Sequence, residues 1–559
     1  MPFMSHRFPH RSHRSSPIFR RVLSAVVAVA LLVDPLAPSM LATGLADAQT
    51  NPPASVPSSP ASNLPVYGQV PPPITVPALP SDIAPASPQL GMANVVTALP
   101  DLGDASFALV SPAQERKLGE AVARQIRGSG GYLDDPEVND YLNELGHRLV
   151  AARPDSPWDF EFGAMADPVV NAFAIPGGFV FVNVGLILMT QTESELASVL
   201  AHEITHVTQH HYVRNLVDQK NALVLQIAAL LVAVAAGVKG GSQSGQVASA
   251  AIATAQGLAI QSQLNYTRQN EYEADRIGFQ RLYVAGYEPT AMATMFQRML
   301  KQSRFSDNNA PGYLRTHPVT TERIGEAQAR AEQVPYRQVP DTLDFQMVRA
   351  LLRSYQGTPR DAVKFFESSL ADKKYNSEVA TRYGLVAALL RANSLPRAKV
   401  ELAALEKIAP PHPMIEAMAG HVYMESGDLD VALKRIDGAL QRYPNKLQLI
   451  YDYPEVLLRA HRPADAAAFL EAELVRYPDN GPLHGIAARA YAELGRKTQQ
   501  HRHQAELYAW QGDLKGAITQ LELASKSNDG DFYLSSVVET RLRTLRRDLE
   551  EQKALAKQG

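Results

Sequence analysis

The spacing of apolar and polar residues divides the chain into blocks with different periodicities. Near the N-terminus an apolar stretch, Val22 to Val33, follows an arginine-rich segment and precedes small residues that end in Ala46-Asp47-Ala48. This order is typical of a secretory signal peptide with an A-x-A cleavage site. Because a membrane span needs roughly 20 apolar residues, we predict a cleaved signal peptide over residues 1–48 and export to the periplasm rather than a membrane anchor.

Residues 49–110 have neither helical nor strand periodicity. They are dominated by Pro, Ala, Ser and Val, with Pro71-Pro72-Pro73 near the middle. This composition favours extended chain and cannot form a core, so we predict a Pro-rich disordered linker. Helical spacing begins at Ser111-Pro112, an N-cap followed by proline at the first helical position. We expect a first folded domain over residues 111–335, a repeat domain over residues 339–545 and a C-terminal tail over residues 546–559.

The C-terminal block repeats with a period of 34 residues (432 − 398 and 466 − 432), seen in Ala398, Ala432 and Ala466 and in Pro410, Pro444 and Pro478. Helix-turn-helix units of this length are typical of tetratricopeptide repeats, which stack into a solenoid with a concave groove. The usual ligand of such a groove is a protein or peptide, and the alternative is a purely structural array. Gly427-Asp428-Leu429 returns out of register at Gly512-Asp513-Leu514, which predicts one unpaired helix between about Pro482 and Gln500.

Strand-like alternation appears once, upstream of the longest helical block. Asn171 to Ile175 reads as a strand, Pro176-Gly177-Gly178 as a turn and Phe179 to Asn183 as a second strand. An edge strand here, with Asn171, Ala172 and Phe173, can pair with an extended substrate backbone. An ordinary hairpin is the alternative.

The amino-acid composition limits which kinds of catalytic and metal-binding sites the chain can contain. The chain of 559 residues has no Cys, and 54 Lys and Arg nearly balance 57 Asp and Glu. Thiolate sites and cysteine nucleophiles are excluded, so a metal must be held by His and carboxylates. The balanced charge gives no field that attracts nucleic acid, and we expect no nucleic-acid partner.

A helix predicted over residues 192–215 contains His202-Glu203-Ile204-Thr205-His206. Two imidazoles four residues apart lie one turn apart on one face and suit a single Zn²⁺, while Glu203 is placed to act on an attacking water. The metzincin pattern is excluded because Tyr212 stands where its third His is required. His210 and His211 follow too far along the helix to coordinate the same ion together with His202 and His206. We interpret them as surface or second-shell residues.

The third ligand is predicted on a second helix, residues 270–285. Glu271 and Asp275 lie one turn apart there, so Glu271 can bind the metal while Asp275 accepts the other ring N–H of a ligand His. The alternative is a solvated acidic face. Between the two helices lie the apolar runs Ala222–Val238 and Val247–Ile260. We predict that they form a helical hairpin that covers the active site or touches the membrane surface; the alternative is a pair of membrane spans.

The HExxH motif with the later Glu271-x-x-Ala274-Asp275 resembles the membrane-associated gluzincins that include HtpX and the CaaX prenyl proteases, most closely their periplasmic branch with C-terminal tetratricopeptide repeats. Residues 171–178 are similar to the strand and turn of that family, and His317-Pro318 with Arg323-Ile324 to its downstream loop. The resemblance implies a substrate contact from Asn171 and regulatory or substrate-site roles for His317 and Arg323. His317 would close the zinc site until its loop moves; a structural His beside proline is the alternative.

These observations predict a mainly α protein: an α+β zincin-like metalloprotease domain, with active-site helices and a small β-sheet, followed by an α-solenoid of tetratricopeptide repeats. The resemblance implies a periplasmic endopeptidase with one Zn²⁺ per chain, which hydrolyses misfolded or stalled outer-membrane and periplasmic proteins. Its partners would be unfolded or misassembled envelope proteins and, through the repeats, the outer-membrane assembly machinery, with peripheral membrane contact through residues 222–260. The alternative is a tetratricopeptide scaffold or chaperone with latent protease activity.

Overall fold

The computed structural model describes residues 111–154, 156–218, 268–303, 312–527 and 529–558, all of which belong to one compact unit. The expected signal peptide, the linker and the apolar runs of residues 222–260 lie outside the described residues. No helix among those described is both long and apolar enough to cross a membrane.

The N-terminal part combines helices with a small mixed sheet. Its elements are α1 (Pro112–Gly128), β1 (Tyr132–Leu133), α2 (Pro136–Ala151), β2 (Glu161–Met165), β3 (Ala172–Ile175), β4 (Phe179–Asn183), α3 (Val184–Met189), α4 (Glu193–Thr208), α5 (His211–Asp218), α6 (Arg268–Val284), α7 (Ala291–Ser303), α8 (Gly312–Thr316) and α9 (Thr321–Glu332). The strand order is β1-β2-β4-β3, with β2 and β4 parallel and the outer pairs antiparallel. The prediction of a mainly α fold with a small sheet is confirmed.

The predicted hairpin is present as β3 and β4, and β3 is an edge strand of the described sheet. The turn needs glycine, because Gly177 and Gly178 have φ values of 79° and 96°. A Cβ on Gly177 would also lie 2.6 Å from the Cα of Arg116 on α1. Backbone conformation and close packing therefore both fix this corner of the sheet.

The repeat part consists of helix pairs. Its helices are α10 (Leu343–Ser354), α11 (Pro359–Ala371), α12 (Glu378–Arg391), α13 (Leu395–Ile408), α14 (Pro413–Glu425), α15 (Leu429–Arg442), α16 (Leu447–Arg459), α17 (Pro463–Arg476), α18 (Gly481–Glu493), α19 (Lys497–Trp510), α20 (Leu514–Lys526) and α21 (Phe532–Gln558). The periodic alanines are buried in the second helices of successive pairs: Ala398, Ala432 and Ala466. The periodic prolines follow the ends of those helices. Residues 546–558, expected as a tail, continue α21.

The register slip occurs one helix later than expected. Left-handed residues precede the second helices at a constant step of 34 (427 − 393, 461 − 427, 495 − 461): Asn393, Gly427, His461 and Gly495. Helix α18 therefore belongs to a regular pair with α19 and packs against it. The prediction of an unpaired helix between Pro482 and Gln500 is wrong, because the extra left-handed turn is at Gly512, before α20.

Helix α2 of the first part packs against first helices of the repeat pairs. Four carboxylates on or beside α2 accept hydrogen bonds from the repeat part. The donors are the Tyr355 hydroxyl to Asp135, the Tyr383 hydroxyl to Glu137, the Leu447 amide to Asp140 and the Lys446 ammonium to Glu144. The repeat part thus contacts the chain's own N-terminal part through its first helices.

Candidate active site

Helix α4 carries both histidines of the HExxH motif and is buried along its whole length. It begins at the N-cap Thr192, whose side chain accepts a hydrogen bond from the Glu195 amide. Because His202 and His206 are one turn apart, their Nε2 atoms lie on the same side, 2.9 Å from each other. Each side chain has about 1% or less of its surface exposed.

Glu271 reaches this pair from α6. Its carboxylate oxygens lie 3.6 Å from Nε2 of His202 and 3.4 Å from Nε2 of His206. Close helix packing makes this possible, because a Cβ on Gly278 of α6 would lie 3.1 Å from the Ala201 carbonyl oxygen of α4. Burial alone would raise the pKa of Glu271, but the neighbouring His317 and His206 hold it well below its usual value.

His317, just after α8, completes the cluster. Its Nδ1 lies 2.9 Å from Oε1 of Glu271 and 3.4 Å from Nε2 of His202. One ligand atom from each of His202, His206, Glu271 and His317 falls within 4.8 Å of all the others. The three predicted ligands, His202, His206 and Glu271, are thus brought together, and His317 is a fourth candidate ligand beside them.

The spacing of these atoms fits a tetrahedral divalent metal. Bonds of roughly 2.0–2.1 Å in a tetrahedral zinc site place neighbouring ligand atoms roughly 3.4 Å apart. The nearest separations in the cluster, from 2.9 to 3.6 Å, lie around that value, and with one atom taken per residue all four ligand atoms lie within 4.8 Å of one another. Three imidazoles and one carboxylate are also a donor set that zinc accepts.

Glu203 lies beside the cluster but is not one of the four. Its side chain is fully buried, and among the described residues neither carboxylate oxygen has a hydrogen-bond partner. Oε1 is 3.7 Å from Nε2 of His317. Burial raises the pKa of Glu203, which brings it toward the range suited to a general base. A buried carboxylate with unused oxygens next to a metal-ligand set is arranged to hold a water and take its proton.

Asp275 and Arg323 hold the ligands in place. Asp275 Oδ1 is 2.9 Å from Nδ1 of His202, which fixes the proton on that nitrogen and leaves Nε2 for the metal. Arg323 donates to both oxygens of Asp275 at 2.7 and 2.6 Å and to Oε2 of Glu271 at 2.7 Å. Burial opposes the ionisation of Asp275, but Arg323 keeps its pKa below the usual value. Arg323 thus touches two acidic side chains of the site from within the core.

The edge strand β3 packs against α4. The Asn183 amide donates to the Asn171 carbonyl, and hydrogen-bonded positions alternate along an antiparallel pair. The backbone groups of Ala172 and Ala174 therefore point away from β4, on the side where no other described strand pairs with β3, whereas those of Phe173 bond to β4. Both alanines are buried in this arrangement. The side-chain Oδ1 of Asn171 is buried without a hydrogen-bond partner among the described residues.

Helix α8 lies across one end of this edge. The Tyr313 amide donates to the Val170 carbonyl at 3.1 Å, and a Cβ on Gly312 would lie 3.5 Å from the Asn171 side-chain carbon Cγ. The Tyr313 ring stacks on His317 with 4.6 Å between centroids. One short segment therefore both delivers His317 to the cluster and packs beside Asn171.

The helix predicted over residues 192–215 is broken. It ends at Thr208, His210 takes a left-handed conformation with φ 52°, and α5 begins at His211. Both histidines are buried, so the part of the prediction that put them on the surface is wrong. The break turns His211 back toward His206, with 2.9 Å between their Nδ1 atoms. No Pro or Gly marks this break, and sequence reasoning missed it.

Comparison with known proteins agrees with this site. Residues 135–331 match Peptidase family M48. The chain is 31% identical over 441 residues to the beta-barrel assembly-enhancing protease of Escherichia coli (strain K12), which covers 78% of this chain and 88% of that relative. It is 30% identical over 445 residues to the protein of the same name from Yersinia pestis, covering 78% and 89%.

A more distant similarity covers the peptidase part. The chain is 31% identical over 228 residues to the mitochondrial metalloendopeptidase OMA1 of Schizosaccharomyces pombe, which covers 40% of this chain and 62% of that relative. The metalloendopeptidase name of this relative agrees with the buried ligand cluster on α4, α6 and the His317 loop. With 31% identity across 88% of the Escherichia coli relative, the chain belongs to the beta-barrel assembly-enhancing proteases, metallopeptidases with a family M48 domain.

Proposed function

We propose that the chain is a zinc-dependent endopeptidase that hydrolyses misfolded or stalled envelope proteins. The observation that carries the proposal is the buried set of His202, His206, Glu271 and His317 with Glu203 beside it. A bound zinc ion would polarise the scissile carbonyl and lower the pKa of a coordinated water. Glu203 takes a proton from the attacking water and delivers it to the leaving amine.

Zinc is proposed over other divalent metals because the donors are three imidazoles and one carboxylate at tetrahedral spacing. Native mass spectrometry of the purified chain tests this assignment. We expect one zinc per chain, loss of peptidase activity on chelation and recovery on adding zinc back. A chain that retains full activity without a divalent metal would contradict the proposal.

Substrate binds along the unpaired edge of β3, which must first be uncovered because Ala172 and Ala174 are buried. The outward backbone groups of Ala172 and Ala174 can hydrogen-bond an extended chain, and the unused Oδ1 of Asn171 can accept one further bond. Backbone pairing reads extended conformation more than sequence, which suits unfolded clients. Because α8 packs beside Asn171, movement of this segment is needed before a substrate strand can extend past that residue.

The same movement regulates the peptidase. With His317 beside His202 and Glu271, the fourth ligand position is filled and hydrolysis is off. Displacement of the α8 segment withdraws His317 from the cluster and frees the neighbouring end of the β3 edge together. Substrate access to β3 and the release of His317 from the metal site are thereby coupled through one segment. The exported peptidase is restrained in this way until a client engages it.

The clients are unfolded or misassembled envelope proteins, since the named relatives are enhancers of beta-barrel assembly. The chain acts in the periplasm after removal of residues 1–48, and residues 222–260 make peripheral membrane contact. The repeats bring the peptidase to clients or to the outer-membrane assembly machinery. Photocrosslinking from exposed repeat positions in cells, with identification of the captured proteins, tests this; capture of outer-membrane proteins or their assembly factors is expected, and their absence would contradict it.

A second candidate function is a tetratricopeptide scaffold or chaperone with latent protease activity. The closed arrangement around His317 favours it. A chain with Glu203 replaced by Gln that supports envelope assembly in cells as well as the wild type would select this alternative.

A further inference from the structure

His211 lies between the metal ligand His206 and a carboxylate. Its Nδ1 is 2.9 Å from Nδ1 of His206, and its Nε2 is 3.1 Å from Oε2 of Glu273. Glu273 also accepts a hydrogen bond of 2.9 Å from Arg214. His211 is fully buried, whereas Glu273 and Arg214 are partly exposed. The chain of contacts thus runs from the surface to the ligand cluster.

The protons along this chain can be assigned from the geometry. His206 turns Nε2 to the other ligands, so its proton must be on Nδ1 when a metal is bound. Two Nδ1 atoms at 2.9 Å cannot both carry a proton, so the His206 N–H donates and His211 Nδ1 accepts. His211 then carries its proton on Nε2, which faces Glu273. In this assignment each ring nitrogen of the chain of contacts either donates or accepts, and every donor faces an acceptor.

We propose that His211 is a positioning residue for His206: backed by Glu273, it fixes the ring orientation and tautomer in which His206 binds the metal. This inference rests on the proposed metal site and adds a residue to it. His202 has the corresponding support from Asp275 on the opposite helix, at the same 2.9 Å. Both histidine ligands are then oriented through Nδ1 by different elements, α6 for one and α5 for the other.

The helix break at residues 209–210 is what makes the contact. On a continuous helix, residues five apart do not face each other. The left-handed His210 ends the regular helix, and α5 then contacts α4 with His211 beside His206.

The test is the zinc affinity of the full chain, measured by competition with a chelator, together with the visible spectrum of the cobalt-substituted protein. His211→Ala should lower zinc affinity about 10- to 100-fold and alter the cobalt spectrum. His211→Asn should restore most of the affinity, because Oδ1 of Asn sits near the position of Nδ1 and can accept from His206. His147→Asn, at an exposed histidine on α2, is the control and should change neither the zinc affinity nor the cobalt spectrum.

The outcomes separate this inference from the proposed function. A wild type that binds no divalent metal contradicts the metal site itself. A wild type that binds zinc while His211→Ala binds equally well contradicts only the positioning role, as does an Asn variant that is as weak as the Ala variant. If circular dichroism shows that His211→Ala does not fold, Glu273→Ala decides: zinc binding weakened about tenfold supports the role, and unchanged binding overturns it.

Discussion

Nδ1 of His317 lies 2.9 Å from Oε1 of Glu271, so a loop histidine occupies the space beside a helix-borne carboxylate ligand. Nε2 of the same ring faces Glu203 at 3.7 Å. One imidazole therefore separates the proposed general base from part of the ligand set. This relationship links the resting geometry of the site to its control.

Replacing His317 with Ala should activate the peptidase. The substitution removes the fourth candidate ligand and its contact with Tyr313, so the rate of cleavage of an unfolded protein should rise roughly 5- to 150-fold, a typical range for coupling between two sites. Zinc affinity should fall at the same time. The exposed His147→Ala on α2 is the control and should change neither. An unchanged rate with unchanged zinc affinity would eliminate the proposed latch.

Arg323→Ala should destabilise the metal-free protein by about 3–5 kcal/mol, because it leaves Asp275 and Glu271 as buried charges without their partner. Chemical denaturation of the metal-free chain measures this separately from zinc binding. The exposed pair of Arg546 with Glu522 offers a control, and Arg546→Ala should cost at most about 1 kcal/mol. Equal losses for the two variants would show that Arg323 is not needed to neutralise the site.

Gly278→Ala should push α6 away from α4. The new methyl group would lie 3.1–3.2 Å from the Ala201 carbonyl and the His202 Cα. We expect a loss of about 1–3 kcal/mol in unfolding free energy together with weaker zinc binding. Gly325→Ala is the matched control, since nothing lies within 4 Å of its Cβ, and it should stabilise by up to about 1 kcal/mol. Identical behaviour of the two variants would refute the close-packing argument.

Stability should fall as pH rises from about 6.5 to 9. Burial opposes protonation of His421, but Asp452, at 2.6 Å, raises its pKa to about 9. A histidine with a folded pKa above its unfolded value near 6.5 stabilises fully below pH 6.5, and that contribution disappears as pH passes 9. Burial also raises the pKa of Glu137 to about 8, which changes stability in the same direction.

Unfolding by denaturant at pH 6.5 and pH 9 measures this effect, with an expected difference of at most about 3 kcal/mol from His421. His421→Gln should flatten the dependence, whereas His461→Asn, at an exposed turn, should leave it unchanged. The assignment to His421 is ruled out if the Gln variant loses as much stability as the wild type.

The sequence identified most of the site because its signals are local. Helical spacing placed His202, Glu203 and His206 on one helix, and the one-turn spacing of Glu271 and Asp275 gave each a separate role. The strand pair around Gly177 followed from alternation and a glycine turn. These features depend on residues close together in the chain, which is where periodicity is informative.

Other features depend on tertiary packing and left no such signal. His210 adopts a left-handed conformation without being Gly or Asn, so the end of α4 and the return of His211 were not foreseen. His317 came only from the family resemblance, because no spacing rule joins it to a motif 115 residues away. The contact of α2 with the repeats pairs polar side chains across a long separation, which single-sequence patterns do not encode.

The most direct test of the central claim is cleavage of an unfolded protein by the zinc-loaded Glu203→Gln chain. Gln keeps the size of Glu203 but cannot take a proton from water. The proposal of a zinc peptidase predicts one zinc per chain, as in the wild type, with cleavage reduced at least about 100-fold. Cleavage at the wild-type rate by a zinc-loaded Glu203→Gln chain would contradict it.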